Sequence, residues 1–186
     1  MAARERLRAR GDGVPSFNDL VIAAAARALR AHPQANASLD GDDLVLHDQV
    51  NVGFAVAAAG TLLVPVVADA DRKGVAAIAG ETRALAQAAR EGTIAPDALA
   101  GGTFTVSNLG MFGVDAFTAI LNPPQVAILA VARIRREPAL VDGAVVEAQR
   151  VRLRLTCDHR VLYGADGAAF LATIATLLEE PLALAL

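Results

Sequence analysis

The side chains able to act as a base or a nucleophile near neutral pH are few: the chain carries three histidines and one cysteine. His159 stands out by its setting. It closes an apolar run and opens a glycine-containing turn, in Leu155-Thr156-Cys157-Asp158-His159-Arg160-Val161-Leu162-Tyr163-Gly164-Ala165-Asp166-Gly167. A strand end that turns into a helix is a common seat for a reacting side chain. Neutral imidazole has the pKa for proton transfer at physiological pH. The competing reading is a histidine in a structural hydrogen-bond network at the strand end. His32, before Pro33, and His47, before Asp48, read as surface residues.

Cys157 lies two residues before His159, so strand alternation places both on one side and Asp158 on the other. A cysteine–histidine nucleophilic pair is one reading; a small buried apolar cysteine is the other, and free cysteines favour it. Ser107, in Thr105-Val106-Ser107-Asn108-Leu109-Gly110, ends another strand, where a hydroxyl caps a turn or faces a site. The arginines at 150, 152 and 154, and those at 133, 135 and 136, form either a solvated strand face or an anion seat. Gly101-Gly102 fits no phosphate-loop or dinucleotide fingerprint, and there is no paired-carboxylate motif or metal-ligand spacing. The residues alone reach a candidate base without a substrate.

Around these residues the sequence predicts the elements that must position them. A charged helical piece over 4–10 ends at Gly11-Asp12-Gly13. Ser16 and Asp19 form a capping-box start for a helix over 17–31, apolar nearly all round and stopped by Pro33. Strands follow near 44–47, 50–57 and 62–67, then a helix over 75–90 and a strand over 103–107. A long strand over 126–135 precedes a hairpin at Asp142-Gly143, which joins 139–141 to 145–156. The last helix spans 166–179. Strands that pair through hairpins, with flanking helices, make the class α+β, with a mixed or antiparallel sheet. No repeat or composition break divides the chain, so residues 1–186 read as a single domain.

Composition narrows the function classes. The chain is 54% hydrophobic and 4% aromatic, without Trp and with a single Tyr. That excludes a disordered, charge-rich protein. One cysteine excludes an internal disulfide and a cysteine-based zinc site, and a net charge of −3 leaves no footprint for nucleic acid. Twenty uncharged residues over 49–68 have the length of a membrane helix. Gly60 and Pro65 divide them into two β-branched runs, so a hairpin is predicted instead. The first seven residues lack the apolar core of a secretory signal. The surplus of apolar residues predicts faces covered by other subunits.

Several segments, in order and spacing, resemble one family. They are Asn51-Val52-Gly53-Phe54-Ala55-Val56, Leu63-Val64-Pro65-Val66-Val67-Ala68-Asp69-Ala70-Asp71-Arg72-Lys73, Gly101-Gly102-Thr103-Phe104-Thr105-Val106-Ser107-Asn108-Leu109-Gly110-Met111-Phe112-Gly113, Asn122-Pro123-Pro124-Gln125-Val126-Ala127-Ile128-Leu129 and Asp158-His159-Arg160-Val161. From Ser16 to Pro181 the chain resembles the C-terminal catalytic domain of the 2-oxo acid dehydrogenase dihydrolipoamide acyltransferases, most closely the acetyltransferase of pyruvate dehydrogenase. The resemblance implies a chloramphenicol-acetyltransferase-like α+β fold. It implies homotrimers that build a larger cage, with each active site between two subunits. Implied partners are lipoyl domains and the other subunits of the complex, with no nucleic acid and no membrane. The implied compartment is the bacterial cytoplasm or an organelle stroma or matrix.

The implied reaction moves an acyl group between dihydrolipoamide and coenzyme A. Coenzyme A is then a substrate, the lipoyl group comes from another domain, and no metal takes part. By resemblance His159 is the base that deprotonates the coenzyme A thiol, and Ser107, from the neighbouring subunit, donates to the tetrahedral oxyanion. Tyr163 departs from the family pattern, which places Asp or Asn four residues after the histidine; similar Tyr-containing motifs occur in plastid- and cyanobacteria-like relatives. Its hydroxyl can hydrogen-bond but not serve as an anion, and Asp166 is a candidate substitute charge or helix cap. The family's domain starts some tens of residues earlier, so an N-terminally shortened domain, without lipoyl or subunit-binding domains, is expected. Two alternatives stand beside this: an oligomeric scaffold with little activity, and a chloramphenicol-type acetyltransferase, whose His-His-x-x-x-Asp-Gly motif Asp158-His159 does not match.

Overall fold

The computed structural model describes residues 14–41, 43–58 and 60–184; the charged helical piece expected over 4–10 lies outside them. Helix α1 (Phe17–Ala31) starts as its sequence predicts. The Ser16 hydroxyl accepts from the Asp19 N–H at 3.2 Å, and the Asp19 carboxylate accepts from the Ser16 N–H at 2.6 Å. Val21, Ile22, Ala24, Ala25 and Ala26 are fully buried, which is why the helix carries no polar face over that stretch.

Two short strands follow, β1 (Ala37–Asp40) and β2 (Asp43–Leu46), paired antiparallel. Next come β3 (Val52–Phe54), the hairpin β4 (Val56–Ala58) and β5 (Thr61–Leu63), and β6 (Val66–Val67). The run over 49–68 is therefore strand and turn, and no helix among the described residues is long and apolar enough to cross a membrane. Helix α2 (Val75–Glu91) ends on Gly92, whose positive φ of 70° lets its N–H reach back to the carbonyls of Ala88 and Ala89.

The central sheet has the order β11-β8-β7-β3-β6, built on β7 (Phe104–Asn108), β8 (Ala127–Val131) and β11 (Leu153–Cys157). It is mixed: β3, β7 and β8 run parallel, and β11 and β6 are antiparallel at its edges. The last helix, α3 (Gly164–Glu179), packs on one face, where the Phe104 ring meets Phe170 edge-on at 5.5 Å. A separate hairpin joins β9 (Arg135–Val141) to β10 (Ala144–Arg150). Asp142 and Gly143 both take positive φ, 50° and 81°, the geometry of the tight hairpin turn their sequence announces.

Two predicted strands are divided in the structure, both for the same reason. The predicted strand over 126–135 is two, because the chain leaves β7 after Val131 and starts the hairpin at Arg135. The strand over 145–156 is also two: β10 pairs with β9, whereas β11 pairs with β8. Arg150 and Arg154 therefore do not share one strand face. A change of partner leaves no mark in a run of β-formers. β1, rich in small residues, was not expected at all.

Candidate functional site

β11 carries its last ladder pair at Cys157, opposite Ala127, and the chain then turns sharply. The Asp158 carbonyl accepts from the N–H groups of Val161 and Leu162, at 3.1 and 3.0 Å. Val161 and Leu162 are buried, while His159, Arg160 and Tyr163 are exposed. Two apolar anchors thus fix the turn and leave His159 at the surface. The Tyr163 ring stands 5.5 Å from that of His159 at an interplanar angle of 76°. Sequence reasoning placed His159 and Tyr163 together on the family pattern, and the turn brings them together here.

The strand alternation that would have paired Cys157 with His159 stops at Cys157. Its thiol is half-buried against α3, 3.3 Å from where a Cβ on Gly167 would stand, and burial pushes its pKa up. A raised pKa disfavours thiolate, so the bland reading of Cys157 holds and the nucleophilic pair does not. Asp158 is engaged elsewhere. Its carboxylate accepts from the Arg160 guanidinium at 2.7 and 3.0 Å and from the Arg160 N–H at 3.0 Å, which holds it below the usual carboxylate range. Asp166 is exposed in the first turn of α3 and does not bond to His159.

Ser107 sits one residue from the end of β7, half-buried, on the sheet face opposite Phe104 and Val106. The expected turn-capping role belongs to its neighbour. Asn108 accepts from the Gly110 N–H at 2.9 Å and donates to Asn18 at 3.0 Å. Gly110 has to be glycine, since a Cβ there would lie 2.9 Å from the Ala132 carbonyl. Among the described residues the Ser107 hydroxyl has no hydrogen-bond partner, so it remains available. Sequence reasoning missed Asn108, although Asn before Leu-Gly is a turn signal.

Register fixes how far apart the two residues lie within one chain. Ser107 is level with Ala130 of β8, which faces Arg154 of β11. His159 lies five residues beyond Arg154, toward the other end of the sheet. At about 3.3 Å per residue and about 4.8 Å per strand, the separation is roughly 15–20 Å.

The other candidates resolve into structural roles. His32 and His47 are half-buried and hydrogen-bonded, to the Thr173 hydroxyl at 2.9 Å and the Ser38 hydroxyl at 2.7 Å, and not free surface residues. Arg133, Arg135 and Arg136 pair with Asp115, Glu137 and Glu147, and Arg154 donates to Thr118, so the anion-seat reading loses these guanidiniums. The Arg133 guanidinium in turn holds the Asp115 carboxyl below its ordinary range. Among the described residues no His, Cys, Asp and Glu side chains converge as a metal site. A groove of about 270 Å³ opens beside Asn108, walled by Phe54, Val56, Met111 and two arginines of α2, Arg83 and Arg90. Neither arginine has an ion-pair partner among the described residues.

Residues 1–186 match the family described as 2-oxoacid dehydrogenases acyltransferase (catalytic domain). The chain is 41% identical over 90% of its length to the dihydrolipoyllysine-residue acetyltransferase component of the pyruvate dehydrogenase complex of Zymomonas mobilis, and spans 38% of that protein's length. In structure, all of this chain matches 77% of a subunit from the cubic core of the pyruvate dehydrogenase multienzyme complex, with 36% identity and a TM-score of 0.90. The Azotobacter vinelandii dihydrolipoamide acetyltransferase matches over the same shares, with 35% identity and a TM-score of 0.90. In that protein a serine, a histidine and an asparagine have been investigated for roles in the catalytic mechanism. The serine precedes the histidine by 52 positions and the asparagine follows it by four. Chloramphenicol acetyltransferase, at 18% identity and a TM-score of 0.57, shares the α+β fold alone.

Proposed function

This chain belongs to the 2-oxoacid dehydrogenase acyltransferase family as its catalytic domain, and from that premise we propose that it moves an acyl group, acetyl in the first place, between dihydrolipoamide and coenzyme A. His159 takes the proton of the attacking coenzyme A thiol. The thiolate adds to the thioester carbonyl, and the Ser107 hydroxyl donates to the oxyanion that forms. Collapse breaks the bond to the lipoyl sulfur, and the proton held on His159 passes to that leaving thiolate. One thioester is exchanged for another, and nothing is oxidised or reduced.

The observation that carries this reading is the pair of unused groups at opposite ends of one sheet. Ser107 precedes His159 by 52 residues and Tyr163 follows by four, the spacings found in the Azotobacter protein. No single chain can close a separation of roughly 15–20 Å, so the site joins Ser107 of one copy to His159 of the next. A homotrimer, alone or in a larger cage such as the cubic core, supplies that juxtaposition. Exposed apolar side chains, among them Leu44, Leu46, Met111 and Phe112, suit such a subunit.

Coenzyme A enters as substrate, and the groove beside Asn108 suits its anionic end. Arg83 and Arg90 lie seven residues apart on one face of α2, about 10 Å along the axis, a span that two phosphate groups can bridge. The lipoyl group arrives on another domain, and the remaining subunits of a 2-oxo acid dehydrogenase complex are the partners. The compartment follows theirs, bacterial cytoplasm or organelle matrix. Purified chain should acetylate dihydrolipoamide from acetyl-coenzyme A, and His159→Ala should abolish the transfer. Wild-type activity equal to that of the variant would sink the proposal and leave the scaffold reading.

A further inference from the structure

We infer that Tyr163 is a positioning residue for His159, holding the imidazole by an edge-to-face ring contact where the Azotobacter protein carries an asparagine. The chemistry rests on the acyltransferase reading above; the contact rests on the turn itself.

Helix capping does not account for this tyrosine. Tyr163 occupies the N-cap position of α3, with φ −78° and ψ 165°, and makes no side-chain capping bond. That position favours Ser, Thr, Asp or Asn, whose short oxygens reach the first helical N–H groups. The core does not account for it either, since the side chain is 57% exposed. Its ring meets that of His159 edge-on, at 5.5 Å and 76°.

His159 has no other means of orientation among the described residues. No side-chain hydrogen bond or ion pair reaches its imidazole there. Asp158 is held by Arg160 through its own carboxylate oxygens, and Asp166 does not bond to the ring. An exposed imidazole with free χ angles visits several rotamers. A ring packed edge-to-face against it selects among them through the quadrupole of the aromatic face. The device needs the tyrosine ring and not its hydroxyl. Removing the ring lowers the share of His159 in the productive rotamer and so lowers kcat, while the binding of either thiol substrate is untouched.

The test compares wild type, Tyr163→Phe and Tyr163→Ala by steady-state kinetics and by crystal structures of the same proteins. Tyr163→Phe should keep kcat within about twofold, and Tyr163→Ala should lose about three- to tenfold in kcat at unchanged KM. His159 should hold one rotamer in the first two and move or split in the third. A phenylalanine variant as slow as the alanine variant would overturn the inference in favour of the hydroxyl. An alanine variant with full kcat and an unmoved His159 would overturn it altogether. If none of the three proteins transfers acyl groups, the acyltransferase reading falls, while the rotamer comparison still decides the ring contact.

Discussion

Ser107 and His159 stand at opposite ends of one three-strand ladder. Ser107 is level with Ala130 and Arg154, and His159 follows the Cys157–Ala127 pair at the far end. Neither the half-buried Ser107 hydroxyl nor the exposed His159 imidazole has a hydrogen-bond partner among the described residues. Under the proposed acyl transfer, oligomerisation becomes a chemical requirement, because His159 as base and Ser107 as oxyanion donor would meet only when the serine end of one copy abuts the histidine end of another.

Ser107→Ala should lower kcat by on the order of a hundredfold or more, the usual effect of removing one oxyanion donor. The same change should leave the melting temperature where it is, since the hydroxyl has no partner among the described residues. Acyl-transfer kinetics beside thermal denaturation check both halves. A variant that melts much earlier would return Ser107 to a structural role.

Gly110→Ala should damage the serine end indirectly. Its Cβ would press to 2.9 Å on the Ala132 carbonyl, which packed backbone cannot relieve cheaply. A loss of about 1–3 kcal/mol in stability is expected, with activity lowered as the Asn108 turn moves. Denaturant unfolding and the acyl-transfer assay measure the two effects.

Asp19→Ala should be the more severe structural lesion. The buried carboxylate accepts from the Ser16 N–H, the Ser16 hydroxyl and, at 2.7 Å, the Thr82 hydroxyl, so it caps α1 and ties it to α2. Loss of the cap and of a buried partner for Thr82 should cost about 2–4 kcal/mol, read as a lower denaturation midpoint at unchanged slope.

The Asp158–Arg160 clasp gives the turn before Tyr163 a mild acid sensitivity. Arg160 depresses the folded-state pKa of Asp158. The clasp therefore stabilises fully above the unfolded carboxylate value and fades as pH falls through the lower folded value. Arg160 is largely exposed, so solvent screening keeps the contribution under about 1 kcal/mol. Stability measured from neutral to acidic pH should fall less steeply in Asp158→Asn than in wild type.

What the sequence made legible was local. Ser16 with Asp19 announced α1, Asp142-Gly143 announced its hairpin, and the Asp158-His159-Arg160 turn stood out by its glycines and its place after an apolar run. Partner changes were not legible. The breaks at Val131 and before Leu153 arise because strands switch neighbours, which no run of β-branched residues records. Nor could the sequence say that Asn108, and not Ser107, would cap its turn, because both types form such bonds and only the geometry chooses. The separation of Ser107 from His159 depends on register across β7, β8 and β11, three strands far apart in the chain.

Mixing two inactive variants tests the shared site most directly. Ser107→Ala and His159→Ala chains, co-expressed in equal amounts and assembled together, should recover about a quarter of wild-type acyl transfer, because that share of interfaces joins an intact serine to an intact histidine. A mixture no more active than its separate components would contradict a site built across two copies.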